Sequence, residues 1–428
     1  MGVFYTIERI GKYGIFHPFP MAGGMVLVLP LLNRLCADYP LEIQQWFQQN
    51  YHARPAPLYS SVDLRHSGFK IAPVDTNLFP AGFNNISDAA FHRGIEAMGG
   101  LMRRDYPDAK RVMFVMEQHT RNLPYFDNVA RLCAMIEGAG YEVMVVRLDL
   151  PSDAQTQIVR ANGDVIDVQG VLLNDVGHIV SAAGFIPDIV ILNNDLSTGC
   201  PQLLIDAQQP IIPSLEMGWY RRRKSIHFAA YHQVVQEFAR HFELDPWIMS
   251  TATHQCGQIN FKERQGLECV ALGVEKVLHQ IAQKYAEYGI IQEPYVYIKA
   301  DNGTYGMGIM TVKDSQEVFD INKKNRNKMN VIKEGVQTTE VLIQEGIPTI
   351  DRHHGHSAEP MVYLMDGVPL GYIWRSNAVR DDRQSLNSMG MQFDACSEEQ
   401  MRAYPAYGVL AQLATLATCF EYSEDIIS

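Results

Sequence analysis

The chain lacks a C-x-x-C pair, a low-complexity tract and any long apolar run, and each absence narrows what it can be. Its seven cysteines, Cys36, Cys133, Cys200, Cys256, Cys269, Cys396 and Cys419, are scattered and odd in number, which reads as reduced thiols in a cytosol. The longest early apolar run, Met25 to Leu32, is eight residues long and contains Pro30. A membrane span needs about 20 residues, and no signal-peptide pattern precedes the run. A cytoplasmic protein is expected. Positive charge is also short: 36 Lys and Arg face 48 Asp and Glu, a net charge of −12. That balance argues against a nucleic-acid or membrane surface and for small-molecule substrates, while leaving room for a local basic pocket.

What is present is a soluble globular composition, 47% hydrophobic and 20% charged, over 428 residues. Such a length predicts two or three domains sharing a cleft. In the first half, β-rich runs at Val112–Met116, Glu142–Leu148, Val171–Asn174 and Asp188–Asn193 alternate with helix-like stretches, the pattern of partly buried parallel strands. Between the first two, Val129, Leu132, Cys133 and Ile136 recur at helical spacing, and Gly140 is placed to stop that helix, giving a βαβ unit. Ile212 to Tyr220 is the expected seam, so the division is 1–215, an α/β domain, and 216–428. The second part reads as α+β with antiparallel sheets: an amphipathic helix over 268–287, then strands at Tyr295–Ala300, Ile309–Val312, Glu340–Gln344, Met361–Met365 and Leu370–Arg375. A basic, Asn-rich connector carrying Lys323, Lys324, Arg326 and Lys328 interrupts them.

The sharpest local signal is Tyr-Val-Tyr-Ile-Lys299-Ala-Asp-Asn-Gly303-Thr304-Tyr305-Gly306-Met307-Gly308. A lysine ends an apolar strand and three glycines follow, so backbone N–H groups can approach anionic oxygens while the ammonium adds a point charge for phosphate. No Gly-Lys-Ser/Thr opens a helix here, and the glycine order is not the dinucleotide fingerprint, so the segment reads as a flap within a β-hairpin. Downstream, an apolar strand runs into Gln344-Glu345-Gly346-Ile347-Pro348, as a backbone hinge for a flat base would. Asp75, Asn77, Asn84 and Asn85 lie in a Pro/Gly-flanked polar segment, where turn chemistry explains asparagines but substrate positioning is also expected.

Together these features resemble the ATP-grasp ligases. With Pro73-Val-Asp75-Thr-Asn77, the block Ser-Leu-Glu216 through Arg221-Arg222-Arg223-Lys224, and Arg380-Asp-Asp382 through Asn387-Ser-Met-Gly390, the chain is similar to the proteobacterial glutamate–cysteine ligases of that superfamily. The resemblance implies a pre-ATP-grasp-like domain followed by an ATP-grasp domain. It implies ATP and Mg²⁺ as cofactors and L-glutamate and L-cysteine as substrates. Lys224 and Lys299 would contact phosphates, Gly303 to Gly308 would cover them, Gln344 to Ile347 would hold adenine, and Arg375 would face the transferred phosphoryl group. Arg222 joins the expected substrate-binding residues. The superfamily's late Glu-x-Asn pair has no counterpart in 393–428, so Glu359, Asp382 and Asn387 are the expected oxygen donors for magnesium.

The chemistry so implied is phosphorylation of a carboxylate followed by attack of an amine. Two alternatives share the pattern: another ATP-grasp ligase, such as a glutathione synthetase, and a non-catalytic nucleotide-binding regulator. His353, His354 and His356 sit in a loop with Asp351, a set of residue types that could bind a transition metal, but they have no partner at helical spacing and are expected to be a solvated loop over the site.

Overall fold

The computed structural model describes residues 27–51, 56–118, 122–303, 306–330 and 337–422. Met25 and Val26 of the early apolar run, and Thr304 and Tyr305 of the glycine loop, lie outside the described residues. The rest of that run enters the helix Val28–Asp38.

Strict alternation builds the central sheet. Strand Tyr59–His66 pairs antiparallel with Ile71–Asn77 on one side and His356–Met365 on the other, and Val368–Asn377 and Met391–Ala395 continue the row. Val62, Leu64, Val362, Leu364, Tyr372 and Trp374 share the apolar core with helix Pro405–Thr418. Their neighbours in sequence point to the opposite face, and Asp63, Arg65, Glu359 and Arg375 all line one pocket there. The helix is apolar on every side because strands cover one flank and helices Val28–Asp38 and Lys224–His241 the other. Leu410, Leu413 and Leu416 are at most 1% exposed, so truncating any one to Ala should cost about 2–5 kcal/mol.

A second sheet runs in the order Ile211–Ile212, Ile189–Leu192, Arg111–Val115, Glu142–Val146, Val165–Gln169, Gln155–Val159. All its pairs are parallel except the last. The expected βαβ unit is here, with helix Leu123–Gly138 as its crossover and Gly140 at φ +96° just beyond the helix end. Val171–Leu173 corrects the sequence reading: it pairs antiparallel with Ile179–Ser181 in a separate ribbon. Asn174 Oδ1 accepts from the backbone N–H groups of Val176 and His178, and Gly177 has φ +77°, so a tight turn over 174–178 reverses the chain before a crossover can form.

The third sheet is antiparallel throughout, in the order Thr253–Cys256, Val341–Glu345, Val296–Ala300, Ile309–Val312, with helix Leu267–Glu287 packed on it. The fold is thus mixed α/β with antiparallel sheets. Strands 59–66 and 71–77 belong to the first 215 residues yet share a sheet with strands after residue 355, joined through the pairing of 59–66 with 356–365, so sheet membership does not follow a cut at 215. The basic connector forms the helix Lys323–Asn330. Among the described residues no helix is long and apolar enough to cross a membrane.

Candidate active site

Lys224 and Lys299 meet although 75 positions separate them, because Asp301 ties their elements together. Two residues beyond Lys299, Asp301 accepts from the Ser225 N–H at 2.7 Å and from the Ser225 hydroxyl at 2.6 Å, while its carbonyl accepts from the Lys224 N–H at 2.9 Å. A carboxylate at that helix start satisfies otherwise unpaired N–H groups and suits the positive end of the dipole. Lys224 then reaches Asp75, and Lys299 Nζ donates to the Val74 carbonyl at 2.8 Å. Burial pulls the Lys299 ammonium down to about 8, with Asp75 opposing and Lys224 assisting the shift. Burial pushes Asp75 up, but the Lys224 and Lys299 cations outweigh it and hold the carboxyl down to about 2. Both effects follow from opposite charges packed in a desolvated place.

Beside this trio lies a second buried network. Arg65 Nε donates to Glu359 Oε2 at 2.5 Å, Arg375 Nε to Glu359 Oε1 at 2.7 Å, and Arg375 Nη2 to Asp63 Oδ2 at 2.5 Å. Strand register produces it, since Glu359 faces Arg375 across one pair and Asp63 faces Asp75 across another. Burial raises the Asp63 carboxyl against the pull of Arg375, whereas at Glu359 the Arg375 and Arg65 cations overcome burial and lower it. Arg65 also donates to the carbonyls of Asp382 at 3.0 Å and Gln384 at 2.6 Å, fastening the 382–384 loop to the sheet. Four cations (Arg65, Lys224, Lys299, Arg375) and three carboxylates (Asp63, Asp75, Glu359) converge, a formal excess of one positive charge that favours an anionic ligand.

Asp63, Asp75, Arg375 and Asn387 line both this pocket and a larger cleft of about 930 Å³. All four polar candidates from the N-terminal segment, Asp75, Asn77, Asn84 and Asn85, line that cleft, as do Asn122, Asp127, Asp195 and Trp219. Asp75 and Asn77 come from a strand and Asn84 and Asn85 from a single 3₁₀ turn, rather than all from a loop. Gly303 lines the same cleft, and Gly306, at φ +68°, lines the pocket against Asn387. A Cβ at Gly306 would come within 2.6 Å of the Asn387 carbonyl oxygen. Gly308 has φ +62°, and its carbonyl accepts from the Ala300 N–H at 2.8 Å, closing the hairpin that also carries the half-exposed Met307.

Other expected residues sit elsewhere. Arg222 is buried with its guanidinium bidentate on Glu421 at 2.8 Å and bonded to the Thr76 carbonyl at 2.6 Å, so its donors serve the fold rather than the cleft. Gln344, Glu345 and Ile347 are buried, and neither cleft is lined by them or by Gly346. Gln344 Nε2 donates to Thr251 Oγ1 at 3.1 Å, Lys70 Nζ donates to Glu345 Oε1 at 2.6 Å, and the Tyr295 ring fills the space beside Gly346. Glu359 has both carboxylate oxygens engaged by arginines, and Asp382 lines neither cleft; of the three expected magnesium donors only Asn387 faces both. Asp63, Arg65, Asp301 and Glu421 were not singled out from the sequence. Alternation in Val62-Asp63-Leu64-Arg65 was the available signal for the first two.

The family profile described as glutamate-cysteine ligase matches residues 34–422. This chain belongs to the glutamate–cysteine ligase family. It is 39% identical to a protein of Methylobacillus flagellatus KT, named provisionally as a gamma-glutamylcysteine synthetase, whose crystal structure superposes with a TM-score of 0.85 over 94% of this chain and 100% of that one. Two more distant structures are both 10% identical: a glutathione synthetase-like effector from Globodera pallida, with a TM-score of 0.38 over 82% and 78% of the two chains, and the D-alanyl-alanine synthetase A of Vibrio cholerae, with 0.32 over 71% and 79%. At those scores neither bears on the fold. Among characterised, curated proteins no match is found. As a member of the family the chain is a ligase, and its mixed sheets are those of its near relative.

Proposed function

We propose that this ligase activates the γ-carboxylate of L-glutamate with ATP and joins it to the amine of L-cysteine, giving γ-glutamylcysteine, ADP and phosphate. The observation that carries the reading is the convergence of Lys224, Lys299 and Arg375 at the junction between the glycine hairpin and the large polar cleft. A carboxylate oxygen attacks the γ-phosphorus and the bond to the β-phosphate oxygen breaks, releasing ADP. The amine nitrogen then attacks the acyl carbon, the bond to the phosphate oxygen breaks, and the amine loses a proton. Lys224, Lys299 and the hairpin N–H groups neutralise charge on the moving phosphoryl group, and Arg375 faces the acyl phosphate. Closure of the hairpin keeps water from that intermediate. Asp75, Asn77, Asn84 and Asn85 orient the amino-acid substrates. A base at Gln344 to Ile347 requires the 380–388 loop and Tyr295 to move, since these now cover the strand end.

Magnesium fits the oxygen-donor chemistry at the junction. Asp63 and Asn387, which line both clefts, would hold it there with Asp75 close by, and the ion would supply charge neutralisation for the polyphosphate. A reduced thiol substrate suits a cytoplasmic location. The deciding experiment incubates the full chain with ATP, Mg²⁺ and pairs of amino acids, measures ADP, and traps the acyl phosphate with hydroxylamine. ADP release and γ-glutamyl hydroxamate with L-glutamate support the reading. Turnover with a different pair makes it another ligase, and tight ATP binding without turnover in any mixture makes it a regulator.

A further inference from the structure

We propose that His353, His354 and Asp394 form a metal site separate from the phosphate pocket. It would take a transition metal of the zinc class, with an open coordination position facing the cleft for the thiolate of a small aminothiol. The metal site stands on geometry alone; the thiol ligand rests on the ligase reading above.

One ligand atom from each of the three side chains lies within 4.8 Å of the other two, close enough for one ion to bridge them. His353 Nε2 is 3.2 Å from Asp394 Oδ2. Even so it is a buried ring nitrogen with no aligned hydrogen-bond partner, and buried polar atoms without partners are uncommon enough to call for a ligand. The sequence pointed to Asp351 as the acid beside these histidines. Instead Asp351 faces His66 Nδ1 at 3.1 Å and the Tyr407 hydroxyl at 3.4 Å, and the carboxylate that meets them comes from strand 391–395.

The local backbone presents the pair of rings. His353 faces His356 across a hairpin whose two-residue turn is His354-Gly355, at φ +49° and +80°. Such turns favour Asn-Gly, because the first residue must also adopt positive φ. Histidine there accepts a conformational cost, and in exchange its ring stands 4.1 Å from that of His353. The His353 ring is stacked at 18° on Trp374, which restricts its orientation. Trp374 is also the cross-strand neighbour of Asp394, so one tryptophan positions two of the three ligands.

Two imidazoles and one carboxylate suit zinc-class ions, which take three protein ligands and leave a fourth position open. They do not suit magnesium, which takes oxygen. His354 and Asp394 line the large cleft with Arg375 and Asn387, so the fourth position opens toward the substrates. There a thiol would lose its proton to solvent and its sulfur would displace a metal-bound water. The amine would remain free to attack the acyl phosphate, and an alcohol analogue would be a poorer ligand, giving thiol over hydroxyl selectivity.

Co²⁺ is a suitable probe, because its visible absorption reports tetrahedral coordination without ATP or turnover. The full-length protein should bind one Co²⁺ with visible bands that Zn²⁺ displaces. His354→Ala and Asp394→Asn, at surface-accessible positions, should keep the parent circular dichroism. Each should weaken Co²⁺ binding by more than the roughly 10–100-fold that loss of a supporting partner costs. Adding L-cysteine should produce a sulfur-to-cobalt charge-transfer band that L-serine does not. No saturable 1:1 absorption, or undiminished binding in both folded variants, means an adventitious ion only and overturns the site. Saturable binding without the sulfur band overturns the thiol role. Failure of the ADP assay with L-glutamate and L-cysteine would sink the ligase reading while leaving these spectra to be judged on their own.

Discussion

If the Lys299 ammonium is a phosphate ligand, nucleotide binding must be coupled to proton uptake, and the structure sets the pH at which this appears. Burial holds the group at about 8 against an ordinary 10.5. At about 1.4 kcal/mol per tenfold, that gap means the free protein disfavours the charged form by about 3 kcal/mol. The unfolded chain therefore binds the extra proton between pH 8 and 10.5, so this lysine makes stability rise, not fall, as pH climbs through that window. Bringing a polyphosphate within hydrogen-bond reach restores the charged form. Binding should then take up about one-tenth of a proton at pH 7, half at pH 8 and nine-tenths at pH 9, and apparent affinity should drop about tenfold from pH 7 to 9. Phosphate oxygens, with a second pKa near 6, are already ionised across this range. The assay is calorimetric titration with a non-hydrolysable ATP analogue and Mg²⁺ in two buffers of different ionisation enthalpy. Lys299→Arg should abolish the buffer dependence, because a guanidinium stays charged. Burial also pulls Lys70 to about 8, but it stays 2.6 Å from Glu345 outside both clefts, so it should not contribute. A buffer-independent enthalpy at pH 9 in the parent, or the same slope in Lys299→Arg, would refute the assignment.

Gly306→Val should lower kcat more than it weakens nucleotide binding, because a β-branched side chain at φ +68° strains the turn and strikes the Asn387 carbonyl; equal losses in both, measured by steady-state kinetics and calorimetry, would count against a flap. Asp63→Asn should raise the Mg²⁺ concentration needed for half-maximal rate. Glu359→Gln should act mainly on stability, lowering it by about 3–5 kcal/mol in denaturant titrations, as when one partner of a buried pair is removed; the opposite pattern would return the metal to Glu359. Glu421→Gln should likewise cost about 3–5 kcal/mol by leaving Arg222 and His227 buried without their carboxylate. In the parent, burial raises the Glu421 carboxyl but Arg222 and His227 hold it down to about 2. Its stabilisation is complete above the ordinary 4.5 and lost as pH falls toward 2, so Glu421→Gln should flatten acid unfolding across that window.

Most of what could be read from the sequence has a short range. The helix over 267–287, the Lys299 strand and the hairpin after it are each specified by periodicity, turn glycines and β-rich composition within about twenty residues, and their expected limits agree with the structure to within a residue or two. What escaped was long-range pairing. Strand 59–66 is buried on both faces and strand 71–77 on all but its cleft-lining Asp75 and Asn77, so their polar residues looked like loop chemistry until strand 356–365 arrived from nearly 300 positions away. Side-chain type alone does not show whether a charge is met by a ligand or by the protein. Glu359 and Arg375 both resembled site residues, yet the register that places them opposite each other engages the carboxylate with two arginines. Arg222 is the same case, because its counterion Glu421 lies 199 positions away in the C-terminal segment. The converse also holds: Asp301 sits inside the glycine motif and reads there as a loop residue, but its role is to cap the helix Lys224–His241 through Ser225, 76 residues earlier. Keeping that cap's hydrogen bonds without the charge, in Asp301→Asn, separates the two meanings. If Asp301 acts by holding Lys224 beside Lys299, the variant should lose only the charge–dipole part of the cap, about 0.3–1 kcal/mol of stability, and its KM for ATP should rise with little change in kcat. A changed kcat at unchanged stability would place Asp301 among the reacting groups instead.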